Sequence, residues 1–305
     1  MNILRHELYQ RVFNTPLMMH PGKAQAALEA IGGRLVEGGV VIISDGARVD
    51  HTAGQSAGRL GDQLGARMQQ NGQVPYAMAG SVAIIPIEGT LVHKGAYVGA
   101  SSGRTSYQGL QTQIARAARD DTVLGVVFEV DSFGGEVAGA FETAAMMAEL
   151  SRLKPTMAIL TDHAASAGYL LASAARQIVM PETGTAGSIG VITMHTDVSK
   201  ALKKEGVKVT IIAAGKHKAD RNPLGPLPED VQSRVQASVE KSRQIFADTV
   251  GRHRGSRFTA KMALATEAET FDGADAVRIG LVDAVGHSAS AFHAFVSEMS
   301  RPRGR

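Results

Sequence analysis

An α/β domain organised around a largely parallel sheet is the architecture this sequence predicts. From Ser81 onward, strand-like apolar runs at 82–87, 123–130, 156–160, 177–180, 189–194 and 207–213 alternate with helical runs at about 107–119, 136–152, 166–175, 197–205 and 228–252. Alternation at this spacing is the signature of parallel strands joined by helical crossovers. With 305 residues, the chain is also long enough to bury a sizeable core.

Each element has a local reason. Residues 1 to about 38 read as an amphipathic helical opening, clearest in Ala24-Gln25-Ala26-Ala27-Leu28-Glu29-Ala30-Ile31 and stopped by Gly32-Gly33. Residues 45–79 are rich in Gly, Gln and Ala and poor in large apolar side chains. They predict a linker with a short helix near 60–68. The strand Val126-Val127-Phe128-Glu129-Val130 runs into Asp131-Ser132-Phe133-Gly134-Gly135, a diglycine turn ahead of a helix. His163-Ala164-Ala165-Ser166-Ala167-Gly168 then passes from small residues into the helix formers Tyr169-Leu170-Leu171-Ala172-Ser173. Pro228-Glu229-Asp230 opens a long polar helix, with proline and acids in its first turn. Its apolar positions (Val231, Val235, Val239, Ile245, Phe246, Val250) suit either an interface or packing on its own domain.

Composition excludes several functions. There is no cysteine, so disulfides, thiol nucleophiles and cysteine-bound metals are out. The formal charge is only +3, much of it from Arg301-Pro302-Arg303-Gly304-Arg305, which predicts a solvated end and no nucleic-acid partner. The ten histidines show no metal-ligand spacing. No apolar run approaches the ~20 residues of a bilayer span, and Met1-Asn2-Ile3-Leu4-Arg5-His6-Glu7 has no secretory character. A cytoplasmic protein without metal, cofactor or membrane partner is expected.

The chemistry centres on Ser166, placed where a helix N-terminus presents free N–H groups and a positive dipole end. A serine hydroxyl needs a base to become a nucleophile. Lysine serves only if burial or neighbouring positive charge lowers its pKa from about 10.4. Gly215-Lys216-His217-Lys218 follows an apolar strand that would carry a lysine into a partly dry cleft, and alternation does not choose between Lys216 and Lys218. Gly135 and Ala167 are the natural backbone N–H donors for a tetrahedral oxyanion. Ser188, in Gly187-Ser188-Ile189-Gly190-Val191, supplies a second hydroxyl 22 residues beyond Ser166. Each residue also has an ordinary structural reading: Ser166 as a helix cap, Ser188 as a turn serine, the diglycine as a turn, the lysines as surface charges. A histidine base is the rival arrangement: His163, His195 and His217 all lie near these residues, with Asp197 or Asp220 as the third member of a triad. Gly184, Gly187 and Gly190 have the wrong spacing for a dinucleotide loop.

These four segments resemble the signal peptide peptidase A family of serine peptidases, and most closely its phage branch, the capsid maturation proteases of lambdoid phages. The similarity covers roughly residues 80–286, including Phe271-Asp272-Gly273-Ala274-Asp275-Ala276-Val277-Arg278-Ile279-Gly280-Leu281-Val282-Asp283, and Asn14-Thr15-Pro16-Leu17-Met18-Met19-His20-Pro21 is similar to the opening of phage members. Phe133 departs from the family, which usually has proline before the glycines. The resemblance implies a Clp/crotonase-like spiral of ββα units. It selects Lys218 as the base, Ser188 as the hydroxyl that orients it, and a homo-oligomer that cleaves scaffold, portal and capsid proteins during head maturation. The domain reading is then a helical extension and linker over 1–79, a Ser-Lys peptidase domain over 80–286, and a C-terminal helix and basic tail over 287–305. A cytosolic housekeeping peptidase of the same family and a non-catalytic assembly protein with a protease fold are the alternatives.

Overall fold

The structure, a computed structural model, describes residues 15–20, 63–70, 75–95, 98, 100–101 and 103–301. The helical opening predicted within 1–38 falls almost wholly outside the described residues, as do most of the 45–79 linker and the tail 302–305. Near the predicted helix at 60–68, helix α1 spans Gln63–Gln70. The chain divides into two compact units: residues up to 17 with 191–245, and residues 18–190 with 246–305.

The larger unit contains the sheet. Strands β3 (Val82–Val92), β6 (Gly125–Glu136) and β7 (Thr156–Ala165) form its parallel centre. The predicted α/β class, with helical crossovers between parallel strands, is the class observed. Antiparallel strands extend the edges: β2 (Ala77–Ala79) on β3, and β4 (Ala100–Ser101) on β5 (Arg104–Ser106). β7 has two partners. Its residues 157–159 pair with β8 (Gln177–Met180), and its residues 163–165 pair with β9 (Thr185–Gly187). The sheet therefore divides just before Ser166. β10 (Thr270–Asp272) pairs antiparallel with β9, and β11 (Ala284–Val285) pairs parallel with β8.

Helix α2 (Tyr107–Arg119) starts at Ser106, whose side chain accepts from Gly109 N–H, and buries Tyr107, Leu110, Ile114 and Ala117 on one stripe. Helix α3 (Ala140–Leu153) begins later than predicted, because Gly139 in the left-handed region precedes its first turn. β6 and β7 both run beyond their apolar stretches, β6 through the diglycine and β7 up to Ser166. Polar and glycine residues there are held as strand by ladder partners, which a hydropathy pattern does not report. Helix α4 (Ala167–Ala172) is buried on every side.

The C-terminal part of this unit clamps the sheet. Helix α7 (Ser288–Met299) sends Phe295 and Met299 into a cluster with Val82, Val127, Met157, Ile159 and Val179. Arg254, at the end of α6 (Glu229–Arg254), is fully buried and donates to both carboxylate oxygens of Asp283 at 2.9 Å and to Gly280 O at 3.0 Å. Burial works against ionising Asp283. The hydrogen bonds and charge of Arg254, helped by Arg257, outweigh it and hold the carboxyl below its usual range. This gives the run from Phe271 to Asp283 a structural role.

His253 is half-buried beside Ser173, whose Oγ lies 2.9 Å from its Nδ1. Burial, with a contribution from Arg252, pushes its pKa from 6.5 down to about 4. The fold thus favours neutral His253, a contribution of about 3 kcal/mol that is complete above pH ~6.5 and lost as pH falls toward 4. The melting temperature should decline through that window, and His253→Gln should flatten the decline, as pH-resolved thermal melts would show.

The smaller unit holds α5 (Ser199–Lys204) and the first part of α6. Two predicted strands do not form there. Of 189–194, only Ile192 forms a bridge, to Leu17, with hydrogen bonds of 2.8 and 2.9 Å. Residues 207–213 form no strand: Val207, Val209, Ile211 and Ile212 stand 47%, 47%, 45% and 95% exposed. Their β-branched pattern is strand-like, but a strand needs a neighbour to complete its hydrogen bonds. On α6, Val231, Phe246 and Val250 are buried, Val235 and Val239 are half-buried, and Ile245 faces solvent.

Candidate active site

Ser166 stands between β7 and α4 with φ 56° and ψ −120°. A non-glycine residue there carries strain on the order of 1–3 kcal/mol, tolerated only when its surroundings over-determine it. They do: its N–H donates to Gly187 O at 2.8 Å, and its carbonyl accepts from Leu170 N–H at 2.9 Å. The residue is 1% exposed, and its Oγ has no hydrogen-bond partner. A buried hydroxyl held without a partner on a strained strand-to-helix turn serves reaction better than stability. Ser166→Gly should accordingly raise stability by about 1 kcal/mol, measured by denaturant unfolding, while removing the hydroxyl.

The glycine turn lies alongside. Ser132 Oγ donates to Gly89 O at 2.7 Å and accepts from Gly134 N–H at 3.1 Å. These bonds brace β6 where its registers with β3 and β7 both break. Gly134 has φ +95°, and a Cβ built on it would stand 2.0 Å from Met18 O, 3.0 Å from Ala167 N and 3.0 Å from Ser166 Cβ. Gly135, the donor chosen from sequence, pairs with Leu91, and its missing Cβ would strike Leu91 O at 1.9 Å. The glycine whose bare side borders Ser166 is therefore Gly134. Phe133, standing where the family has proline, stacks on His163 (ring centroids 4.3 Å) and meets His20 edge-on at 6.1 Å. Side-chain packing thus restrains a turn that proline would stiffen through φ.

Ser188 leaves the partner strand at the matching place. Ala165 pairs with Gly187, so Ser166 and Ser188 each follow a paired residue, and each has positive φ. Ser188 is 5% exposed, and its N–H donates to Glu269 O at 2.8 Å. Ser166, Ala167, Ser188 and Gly135 all belong to the larger unit.

Lys218 belongs to the smaller unit. Its N–H donates to Gly215 O at 3.1 Å, and both it and Lys216 are exposed. The dry cleft expected around Lys218 is not supplied by its own unit, because the apolar segment before it is itself in solvent. Beside it, Arg234 contacts Asp220 at 2.8 Å and His217 at 2.6 Å. The triad rival lacks its central bond: His195 Nε2 faces Gly225 O at 3.1 Å, and His195 Nδ1 is buried without a partner. Asp197 caps Ser199 N–H, and Asp220 is taken by Arg234 and His217.

Sequence reasoning passed over Ser132, Gly134 and Asp131, which contacts His163 at 3.1 Å. A serine two residues before a glycine was a usable turn signal for Ser132. Nothing local distinguished Gly134 from Gly135. Among the described residues, no group of three His, Asp or Glu side chains could hold a metal ion, and no helix is long and apolar enough to cross a membrane.

Residues 148–299 match Peptidase family S49. Across 283 residues it is 36% identical to capsid assembly protease C of Escherichia phage lambda, covering 92% of this chain and 62% of that protein. It is 31% identical over 290 residues to head-tail preconnector protein GP5 of Enterobacteria phage P21, covering 94% and 56%. Protease 4 of Haemophilus influenzae is 29% identical over 69% of this chain and 34% of its own length. The chain thus spans about 60% of its two phage relatives. Among solved structures, an enoyl-CoA hydratase/isomerase family protein from Silicibacter pomeroyi aligns at TM-score 0.44 and 19% identity, covering 75% of this chain and 83% of that one. The 1510-N membrane-bound stomatin-specific protease aligns at 0.42 and 14%, covering 71% and 84%.

Proposed function

We propose that this chain is a serine endopeptidase of a phage or prophage that cleaves scaffold, portal or capsid proteins during head maturation, acting in the host cytoplasm and procapsid. The observation that carries the reading is Ser166: buried, strained, its hydroxyl unpaired, and bordered by Ala167 N and the bare face of Gly134. In this reading Ser166 Oγ attacks the scissile carbonyl while Lys218 Nζ takes its proton. N–H groups of Ala167 and Gly135 stabilise the oxyanion. Lys218 then gives the proton to the leaving amine, and water, deprotonated by the same lysine, hydrolyses the acyl-serine and restores both groups. Ser188 holds the lysine's lone pair toward Ser166. The peptidase domain runs over 80–286, preceded by the extension and linker of 1–79 and followed by the helix and tail of 287–305.

An exposed lysine is a poor base, because water stabilises its charged form. The exposed apolar run around Ile211 and Ile212, just ahead of it, is material for an interface. Both features favour a homo-oligomer in which a second copy covers that run and Lys218 completes the neighbour's site. Co-expression with candidate scaffold and portal proteins, followed by terminal sequencing of fragments, tests the function. Intact substrates beside a folded chain whose Ser166 a fluorophosphonate labels would reject the substrate assignment. Absence of label on Ser166 would reject the peptidase reading and leave the assembly-protein alternative.

A further inference from the structure

The short strand β1 (Leu17–Met19) was assigned no role by the sequence, yet its end lies against Gly134, the glycine that borders Ser166. His20 N–H donates to Phe133 O at 3.0 Å, continuing the pairing of β1 with β6, and His20 packs edge-on against the Phe133 ring. Met18 is fully buried. Its carbonyl oxygen, Ala167 N and Ser166 Cβ all converge on the space left open by the missing side chain of Gly134. A peptide carbonyl that converges with Ser166 and a helix N–H on one bare glycine, on an extended segment hydrogen-bonded along a strand edge, has the disposition of a bound substrate. Edge pairing of this kind takes any extended peptide through main-chain bonds and selects through the buried side chain.

We propose that the Phe133–Gly134 edge is the peptide-binding site and that the chain's own Met18–His20 segment fills it, Met18 taking the place of the residue on the acyl side of the scissile bond. This rests on Ser166 being the nucleophile, and it specifies the ligand: an extended peptide with an unbranched apolar residue at that position. The tethered segment competes at high local concentration, so an external peptide enters only from the fraction of molecules in which the strand has left. Any alanine-sized side chain at position 134 would collide with the Met18 carbonyl.

The test needs no catalysis. A fluorescent peptide with the sequence Thr-Pro-Leu-Met-Met-His, that of residues 15–20, is titrated against the native chain and against Met18→Asp, with binding read by anisotropy and folding by circular dichroism. The expected result is binding tighter by about tenfold or more in the variant, where the resident strand no longer seats its charged side chain. Where Met18→Asp does not fold, His20→Pro, which removes the N–H bonded to Phe133, is read in the same way. Equal affinity in the native chain and a folded variant overturns the proposal. Because Ser166→Ala in the Met18→Asp background should bind the peptide equally well, failure of the nucleophile reading shows in fluorophosphonate labelling and failure of this one shows in binding.

Discussion

Ser166→Ala is expected to lower hydrolysis of any substrate peptide by about 10⁴- to 10⁶-fold, the scale on which removal of a serine nucleophile acts elsewhere. The fold should be unchanged. Alanine keeps the Cβ that packs beside Gly134, and the lost hydroxyl makes no hydrogen bond in the native chain. The backbone bonds to Gly187 and Leu170 do not involve the side chain. Initial rates on a quenched peptide, together with a thermal melt, check both halves. Turnover equal to native would remove Ser166 from the mechanism.

Lys218→Ala is expected to be nearly as damaging, because nucleophile and base act as a unit and their losses do not add. Lys216→Ala and His195→Ala should stay within a few-fold of native: Lys216 is not the residue the family resemblance selects, and His195 has no carboxylate to orient it. An inactive His195→Ala beside an active Lys218→Ala would establish the triad instead. Mixing inactive Ser166→Ala and Lys218→Ala proteins after dissociation and reassembly reads the architecture. Recovered activity is expected, since it requires serine and lysine from different copies. No recovery despite demonstrated mixing would place both in one chain.

Much of the site was legible because its chemistry needs unusual local wording. Small residues around Ser166 and glycines at 134 and 135 stand out against neighbours that are apolar or helix-forming. The helices at 107–119 and 228–252 were readable within a few residues for a related reason: their stripes and caps lie within one element. What was not legible depended on partners distant in sequence. Gly134 and Gly135 are chemically identical, and only the placement of Leu91, Ala167 and Ser166 tells which one faces Ser166. The run at 207–213 looks like a strand by composition, but strand formation is decided by a neighbour the described residues do not provide.

The sequence by itself determined the α/β class and the alternation of strands and helices that builds the parallel sheet, because periodicity is written in consecutive residues. Tertiary structure alone decided the strained conformation of Ser166, the burial of Arg254 on Asp283, the solvent exposure of Lys218 and the seat of Met18 against Gly134. Each of these is a property of contacts between segments brought together by folding, and burial, strain and hydrogen bonding take their values only once those segments meet.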